Sequence, residues 1–189
     1  EQMRKRGMLG RVAAWSLLVA AGLGATDVNI APDAMTRATQ GYNEYEGDTA
    51  VLTDGLYPGN GDEAEKFVVN NKLNLTFQFD EPHLIAGVRL YVGEDSGAYQ
   101  AFAYLGATLG DNGQTEVGEG AELVADAVDF EFETNTWVDL TFATPAEADY
   151  IEFSTESGAE IYEIEIFAPG EESTAVEARS WGEVKSLQR

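Results

Sequence analysis

Apolar and polar residues alternate through most of the chain beyond residue 70, with a period of two. In residues 73–79, Leu73, Leu75, Phe77 and Phe79 interleave with Asn74, Thr76 and Gln78, which predicts a strand buried on one face. Residues 85–92 repeat the pattern, placing Val88, Leu90 and Val92 on one side and Arg89 and Tyr91 on the other. In residues 136–142, Val138, Leu140 and Phe142 oppose Trp137, Asp139 and Thr141. The stretch 149–167 holds two further runs, 150–155 and 161–167, around Glu156, Ser157 and Gly158. Its expected form is an antiparallel strand pair joined by a turn. Ile151 and Phe153 share one face of the first run and Ile164 and Ile166 one face of the second, while Glu152, Glu163 and Glu165 point elsewhere.

Other segments carry weaker versions of the same signal. Residues 98–105 and 128–133 are expected to be strands, and residues 27–40 to be extended around Pro32. Asp54-Gly55 and the Pro58-Gly59-Asn60-Gly61-Asp62 run are turn signals, and Asn112-Gly113 is a hairpin signal. Asp80-Glu81-Pro82 and Thr144-Pro145 are expected to end the strands before them. Short strands, turns rich in Gly, Asp and Asn, and no helical periodicity before residue 170 together predict an all-β fold, an antiparallel β-sandwich. Residues 169–174 read as a linker. In the tail that follows, Trp181, Val184 and Leu187 recur at helical spacing over a length at which an isolated helix is marginal in water.

Charge adds two things to this picture. Arg4, Lys5, Arg6 and Arg11 precede an apolar run over residues 12–24, the order of a secretory signal peptide, with small residues placing cleavage near Ala25. The expected organisation is therefore a signal peptide at 1–25, a sandwich domain at 26–168 and a linker with a short tail at 169–189, in a chain that is secreted or held at the cell surface. Across the 189 residues, 34 acidic side chains face 11 basic ones, and removing the leader takes four of the basic residues away. That balance excludes nucleic acid and anionic membrane as general partners, because a phosphate-binding face needs clustered Lys and Arg. It favours solubility, cations and neutral ligands. No cysteine is present, so no disulfide, thiol nucleophile or thiolate metal site is available, and a core or a structural cation must stabilise the exported domain.

The order of the pieces resembles the discoidin, or coagulation factor five/eight type C, domains. These include the family thirty-two carbohydrate-binding modules and are galactose-binding-like jelly rolls. The matching segments are VNIA at 28–31, AVLTDG at 50–55, LNLTFQFDEPHLIAGVRLYV at 73–92, WVDLTFATPAEADYIEF at 137–153 and IYEIEIF at 161–167. The resemblance spans about residues 27–168. It matches poorly over 98–130, and Phe67 stands where the family has its usual tryptophan after the Asp-Gly turn. The resemblance implies a structural calcium ion held by Asp54 and Glu163 with backbone carbonyls, a ligand set suited to a cation that takes six to eight oxygens. Read from the residues alone, Asp54 can equally serve its own turn by accepting from backbone amides.

A ligand site in the loops at one end of the sandwich is also implied by the resemblance, with Tyr42, Tyr45, Tyr57, Asp95 and Tyr99 as candidates. Aromatic rings stack on sugar faces, and nearby polar groups orient them. Many sugar-binding members of the family place Arg, His and Asn in these loops. Here the domain holds only Arg37, Lys66, Lys72, Arg89 and His83 as basic or imidazole groups, a departure from the galactose-type pattern.

Catalysis has little support in the sequence. His83 follows Pro82 between two expected strands, the place of a solvent-facing turn residue rather than a general base. The glycine-rich run at 110–120 lacks the lysine and strand-helix context of a phosphate loop. The leading expectation is an exported, non-catalytic module that binds extracellular or cell-surface carbohydrate. The alternatives are a cell-surface assembly protein that uses the sandwich for protein contacts, and an ancillary fragment of a secreted glycoside hydrolase.

Overall fold

The computed structural model describes residues 27–38, 45–60, 63–70, 73–95, 97–110, 115–155 and 158–169. The expected signal peptide and the tail beyond residue 169, together with Tyr42, lie outside the described residues. Eleven strands follow in order: β1 (Val28–Asn29), β2 (Met35–Ala38), β3 (Tyr45–Glu46), β4 (Phe67–Val69), β5 (Leu73–Val92), β6 (Tyr99–Leu105), β7 (Thr108–Leu109), β8 (Thr115–Glu116), β9 (Glu122–Asp129), β10 (Thr136–Thr155) and β11 (Ala159–Ala168). Two 3-10 turns, Ala31–Asp33 and Thr49–Thr53, interrupt them, and no α-helix occurs among the described residues.

Two of these strands make the architecture. β5 and β10 are each 20 residues long and pair antiparallel with each other, so neither Pro82 nor Pro145 ends a strand as expected. Both prolines sit where the register breaks. Between Thr141↔Gly87 and Ala146↔Ile85 the surplus residues are on β10, and between Ala148↔His83 and Tyr150↔Gln78 they are on β5. These bulges let the pair turn a corner, and a bulge is where a strand tolerates proline. The two halves thereby serve two sheets. One contains β3, β4, β11, the second half of β5 and the first half of β10, with β1 on β11. The other contains β2, the first half of β5, the second half of β10, β6 and β9.

The strand pair expected at 150–167 is corrected by this topology. β11 pairs with β4 and β5, and the second half of β10 pairs with β5 and β6. Between Thr155 and Ala159 the chain therefore passes from one sheet to the other. Alternation fixes which face of a strand is buried but not which strand lies beside it. A second correction concerns 128–133: the strand is β9, ending at Asp129, and Phe130 and Phe132 are exposed beyond it. β7 and β8 pair antiparallel, while the Asn112-Gly113 turn expected there lies outside the described residues.

The inner faces meet in one core. Leu75, Phe77, Ile85, Leu90, Ala101, Ala103, Ile151, Phe153, Ile161, Ile164 and Ile166 are all fully buried, each large side chain contributing about 1.5–3 kcal/mol. The carboxamide Oδ1 of Asn29 accepts from the amides of Ala31 (3.0 Å) and Ile166 (3.1 Å). It thereby fastens the start of the described chain to its last strand. The paired ends of β1 and β11 lie at one end of the sandwich. The strand ends at Val69, Val92, Asp129 and Thr155, after which the chain passes between sheets, lie at the opposite end.

Candidate functional site

On the outer face of the first sheet, register sets Trp137 opposite Tyr91 and Tyr91 opposite Glu163, and in the next row Asp139 opposite Arg89 and Arg89 opposite Glu165. The segment after the Thr49–Thr53 turn lies over this face. Asp54 ends that turn, its Oδ1 accepting from the Leu56 amide at 2.8 Å. Gly55 follows with φ +81°, a left-handed conformation that glycine adopts without a Cβ clash. Its amide donates to Glu163 Oε2 at 3.0 Å. Asn60 Nδ2 donates to Gly55 O at 2.8 Å, which closes the loop.

Glu163 is 1% exposed, and its Oε1 is buried without a hydrogen-bond partner. Burial pushes its carboxyl up to about 8, the neighbouring Asp54 and Glu165 add to the rise, and the Gly55 amide opposes it. A buried carboxyl with one oxygen unsatisfied is costly unless something completes it. No three His, Cys, Asp or Glu side chains converge among the described residues, so a cation here would need carbonyl oxygens as well as Asp54 and Glu163.

Tyr57 anchors the same loop on the sheet. Its ring centroid lies 4.9 Å from Trp137 and 5.2 Å from Tyr91. Tyr162 meets Tyr91 edge-on at 6.1 Å. The Arg89 guanidinium sits 4.1 Å from the Trp137 centroid and 5.1 Å from that of Phe167, with Nε 2.6 Å from Glu165 Oε2. Tyr57 is thus engaged in packing over this face. Tyr91, Trp137 and Tyr162 were not among the expected site residues. The available signal was an aromatic residue at the outward position of two neighbouring strands.

The end opposite β1 holds the other candidates. The loop after β5 is pinned by Glu160: the Gly93 amide donates to Glu160 O and the Glu160 amide to Asp95 O, both at 2.8 Å, and the Glu94 amide reaches Glu160 Oε2 at 3.2 Å. Lys66 donates to Glu160 Oε1 and holds that carboxyl below its ordinary range. Asp95 itself is exposed at this end. The adjoining β9–β10 loop is joined to it by the Asn135 amide donating to Gly93 O at 2.9 Å. This loop presents Phe130 at 58% and Phe132 at 53% exposure. Phe132 has φ +56° and Asn135 φ +51°. Asparagine tolerates that region, whereas a phenylalanine in it costs of order 1–3 kcal/mol.

Two expected ligand residues lie elsewhere. Tyr99 is fully buried at the start of β6, stacked on Phe153 at 5.9 Å with its hydroxyl accepting from the Gly97 amide at 2.9 Å. It is a core residue, because β6 begins at the loop's edge and points it inward. Tyr45 is in β3 rather than in a loop, half-buried and stacked on Phe67 at 5.0 Å. His83 pairs with Ala148 at the edge of the β5 bulge, half-buried, its ring 5.1 Å from that of Phe79.

No protein-family model matches the sequence, and no curated protein aligns with it significantly. Solved structures do match the fold. A fucose-binding module from Streptococcus pneumoniae superposes with a TM-score of 0.53 at 17% identity, over 78% of this chain and 99% of its own. A chitosan-binding module of a chitosanase/glucanase from Paenibacillus sp. IK-5 gives 0.50 at 12% identity, over 74% and 98%. The chain has the galactose-binding-like β-sandwich fold of the discoidin-type modules, as its sequence resemblance implies.

Proposed function

We propose that the chain is an exported, non-catalytic carbohydrate-binding module that takes its ligand at the loop end and a calcium ion at the Asp54–Glu163 corner. The observation that carries the binding reading is the pair of exposed phenylalanines, Phe130 and Phe132, on a strained loop beside Asp95. Exposed rings on rigidly held loops suit the apolar faces of sugars, and strain of this kind concentrates at functional sites. The likeness of fold to modules named for binding fucose and chitosan supports the same reading. A glycan array probed with the full chain, in calcium and again in chelator, tests it. Binding to defined glycans that falls on Phe130→Ala with Phe132→Ala is expected, and an array without a single hit would overturn the reading.

The donors at the corner fit the ion. Asp54 and Glu163 offer hard carboxylate oxygens, one of them buried and unsatisfied, and the 3-10 turn offers carbonyls nearby. A bound cation would keep Glu163 ionised and neutralise its repulsion with Asp54. It would also hold the Gly55 turn, and with it Tyr57, against the sheet.

A further inference from the structure

The outer face of the second sheet has a composition that burial does not require. Its inner rows are uniformly small or apolar: Ala38, Leu75, Phe153, Ala101 and Ala127 in one, Thr36, Phe77, Ile151, Ala103 and Ala125 in the next. The outer rows mix rings, amides and carboxylates. Across the sheet, register aligns Arg37, Thr76, Glu152, Phe102 and Asp126. On one side of that row runs Met35, Gln78, Tyr150, Tyr104 and Leu123, and on the other Asn74, Ser154, Gln100 and Val128.

The polar groups on this face are held in place. Glu152 Oε1 accepts from Asn74 Nδ2 at 3.2 Å, and its Oε2 accepts from the Thr115 hydroxyl. Thr115 belongs to β8, and its Oγ1 also lies within hydrogen-bond distance of the Tyr150 hydroxyl, at 3.2 Å. The Tyr104 ring meets that of Tyr150 edge-on at 6.3 Å. Tyr150, Thr76 and Ser154 are buried, Phe102, Tyr104, Gln100 and Glu152 are half-buried, and Met35, Leu123 and Val128 are about half exposed, so the accessible part of the face lies over β6 and β9. Burial holds both phenols above their ordinary range, with Glu152 adding to the rise, so the hydroxyls keep their protons.

We infer that the β6–β9 part of this face is a second glycan-binding surface, which takes an uncharged polysaccharide chain laid along β6 and β9 toward the loop end. The inference rests on the carbohydrate-binding reading given above and adds to it the chain-length class and charge of the ligand. Half-buried rings interleaved with amides and a fixed carboxylate supply what a run of sugar residues needs, namely stacking surfaces with oriented donors and acceptors between them. The 7 residues of β6 at the usual rise make a floor about 20 Å long, enough for several sugar units rather than one. Charge narrows the class: Glu152 and Asp126 line the floor and Glu122 and Asp129 end β9, so a polyanionic chain is repelled while a neutral one is not. Val128 leads through Asp129 into the loop bearing Phe130 and Phe132, which makes the face continuous with the loop site.

The test compares short and long forms of one neutral glycan, taken as a series from disaccharide to soluble polymer of the best array hit. Affinity of the full chain is expected to rise with length. Phe102→Ala should weaken polymer binding about tenfold, the scale of one lost ring contact, and leave disaccharide binding unchanged. Gln100→Ala, at a half-exposed polar position, serves the same comparison if the phenylalanine variant melts early. Polymer binding by both variants at wild-type strength would overturn the second surface while leaving the loop site standing. Loss of disaccharide and polymer binding together would also overturn it, because the face would then act only through the fold. Absence of binding to every form by the wild type would overturn the carbohydrate reading itself.

Discussion

The two outer faces of the sandwich begin from the same two-residue alternation and end differently. On the first sheet, Trp137, Tyr91 and Tyr162 are covered by a loop that brings Tyr57 onto the rings and Gly55 onto Glu163. On the second, Phe102, Tyr104, Leu123 and Val128 remain half-buried or exposed, while Tyr150, in contact with Thr115 of β8, is buried. Aromatic residues on an outward strand position therefore have two uses in this fold. Where a loop covers them they act as a satellite core, and where none does they are available to a ligand. The covered face also carries a costly group, a carboxyl sealed from water with one oxygen unpaired.

Raising the pH should strain the covered face most. Glu163 keeps its proton in the folded chain up to about 8 and loses it near the ordinary 4.5 when unfolded. Between those values the folded state binds more protons, so without metal its stability falls as pH rises through the window and levels off above it. The loss has an upper bound of about 5 kcal/mol. Melting in chelator across pH 4 to 9 measures it, and Glu163→Gln should flatten the curve. Calcium should restore stability to the wild type at pH 8 with release of a proton, and should do nothing for Glu163→Gln.

Smaller effects separate the faces further. Trp137→Ala should cost about 3 kcal/mol in chemical denaturation, since it removes the partner of Tyr57, Tyr91 and Arg89 together. Tyr57→Ala should cost about 2 kcal/mol and weaken calcium binding, because it frees the loop that the ion shares. On the open face Phe102→Ala should cost only about 1 kcal/mol, and Gln100→Ala less than about 0.5 kcal/mol. A Phe102 variant as unstable as the Trp137 variant would show that the two faces are not different in kind.

Much of this was legible in the residues. The alternation at 73–79, 85–92 and 136–142 placed Leu75, Val88, Leu90 and Leu140 in the core, where they are. Glu163, which the resemblance joins to Asp54 across more than a hundred residues, accepts from the amide of Gly55, the residue after Asp54. What alternation could not carry is pairing: 150–155 and 161–167 are each correct as strands, yet they belong to different sheets because β5 lies between β11 and β10. Pro82 and Pro145 read as stops, since a bulge that absorbs a proline looks the same in sequence as a turn that follows one. Tyr99 falls inside the strand expected at 98–105, and what the residues did not show is that it shares the inward face of β6 with Ala101 and Ala103. Phe130 and Phe132 read as strand residues because they continue the β9 alternation past its end, and only the backbone at Phe132 reveals the change.

The most direct test of the contrast between faces is chemical-shift mapping of the isotope-labelled chain titrated with the best neutral oligosaccharide. The account predicts perturbed amides in 93–98 and 130–135, spreading over Gln100, Phe102 and Glu152 as the glycan lengthens, while Trp137, Tyr57 and Arg89 stay still. Perturbations centred on Trp137 and Tyr57, with none at Phe102 or Phe132, would contradict it.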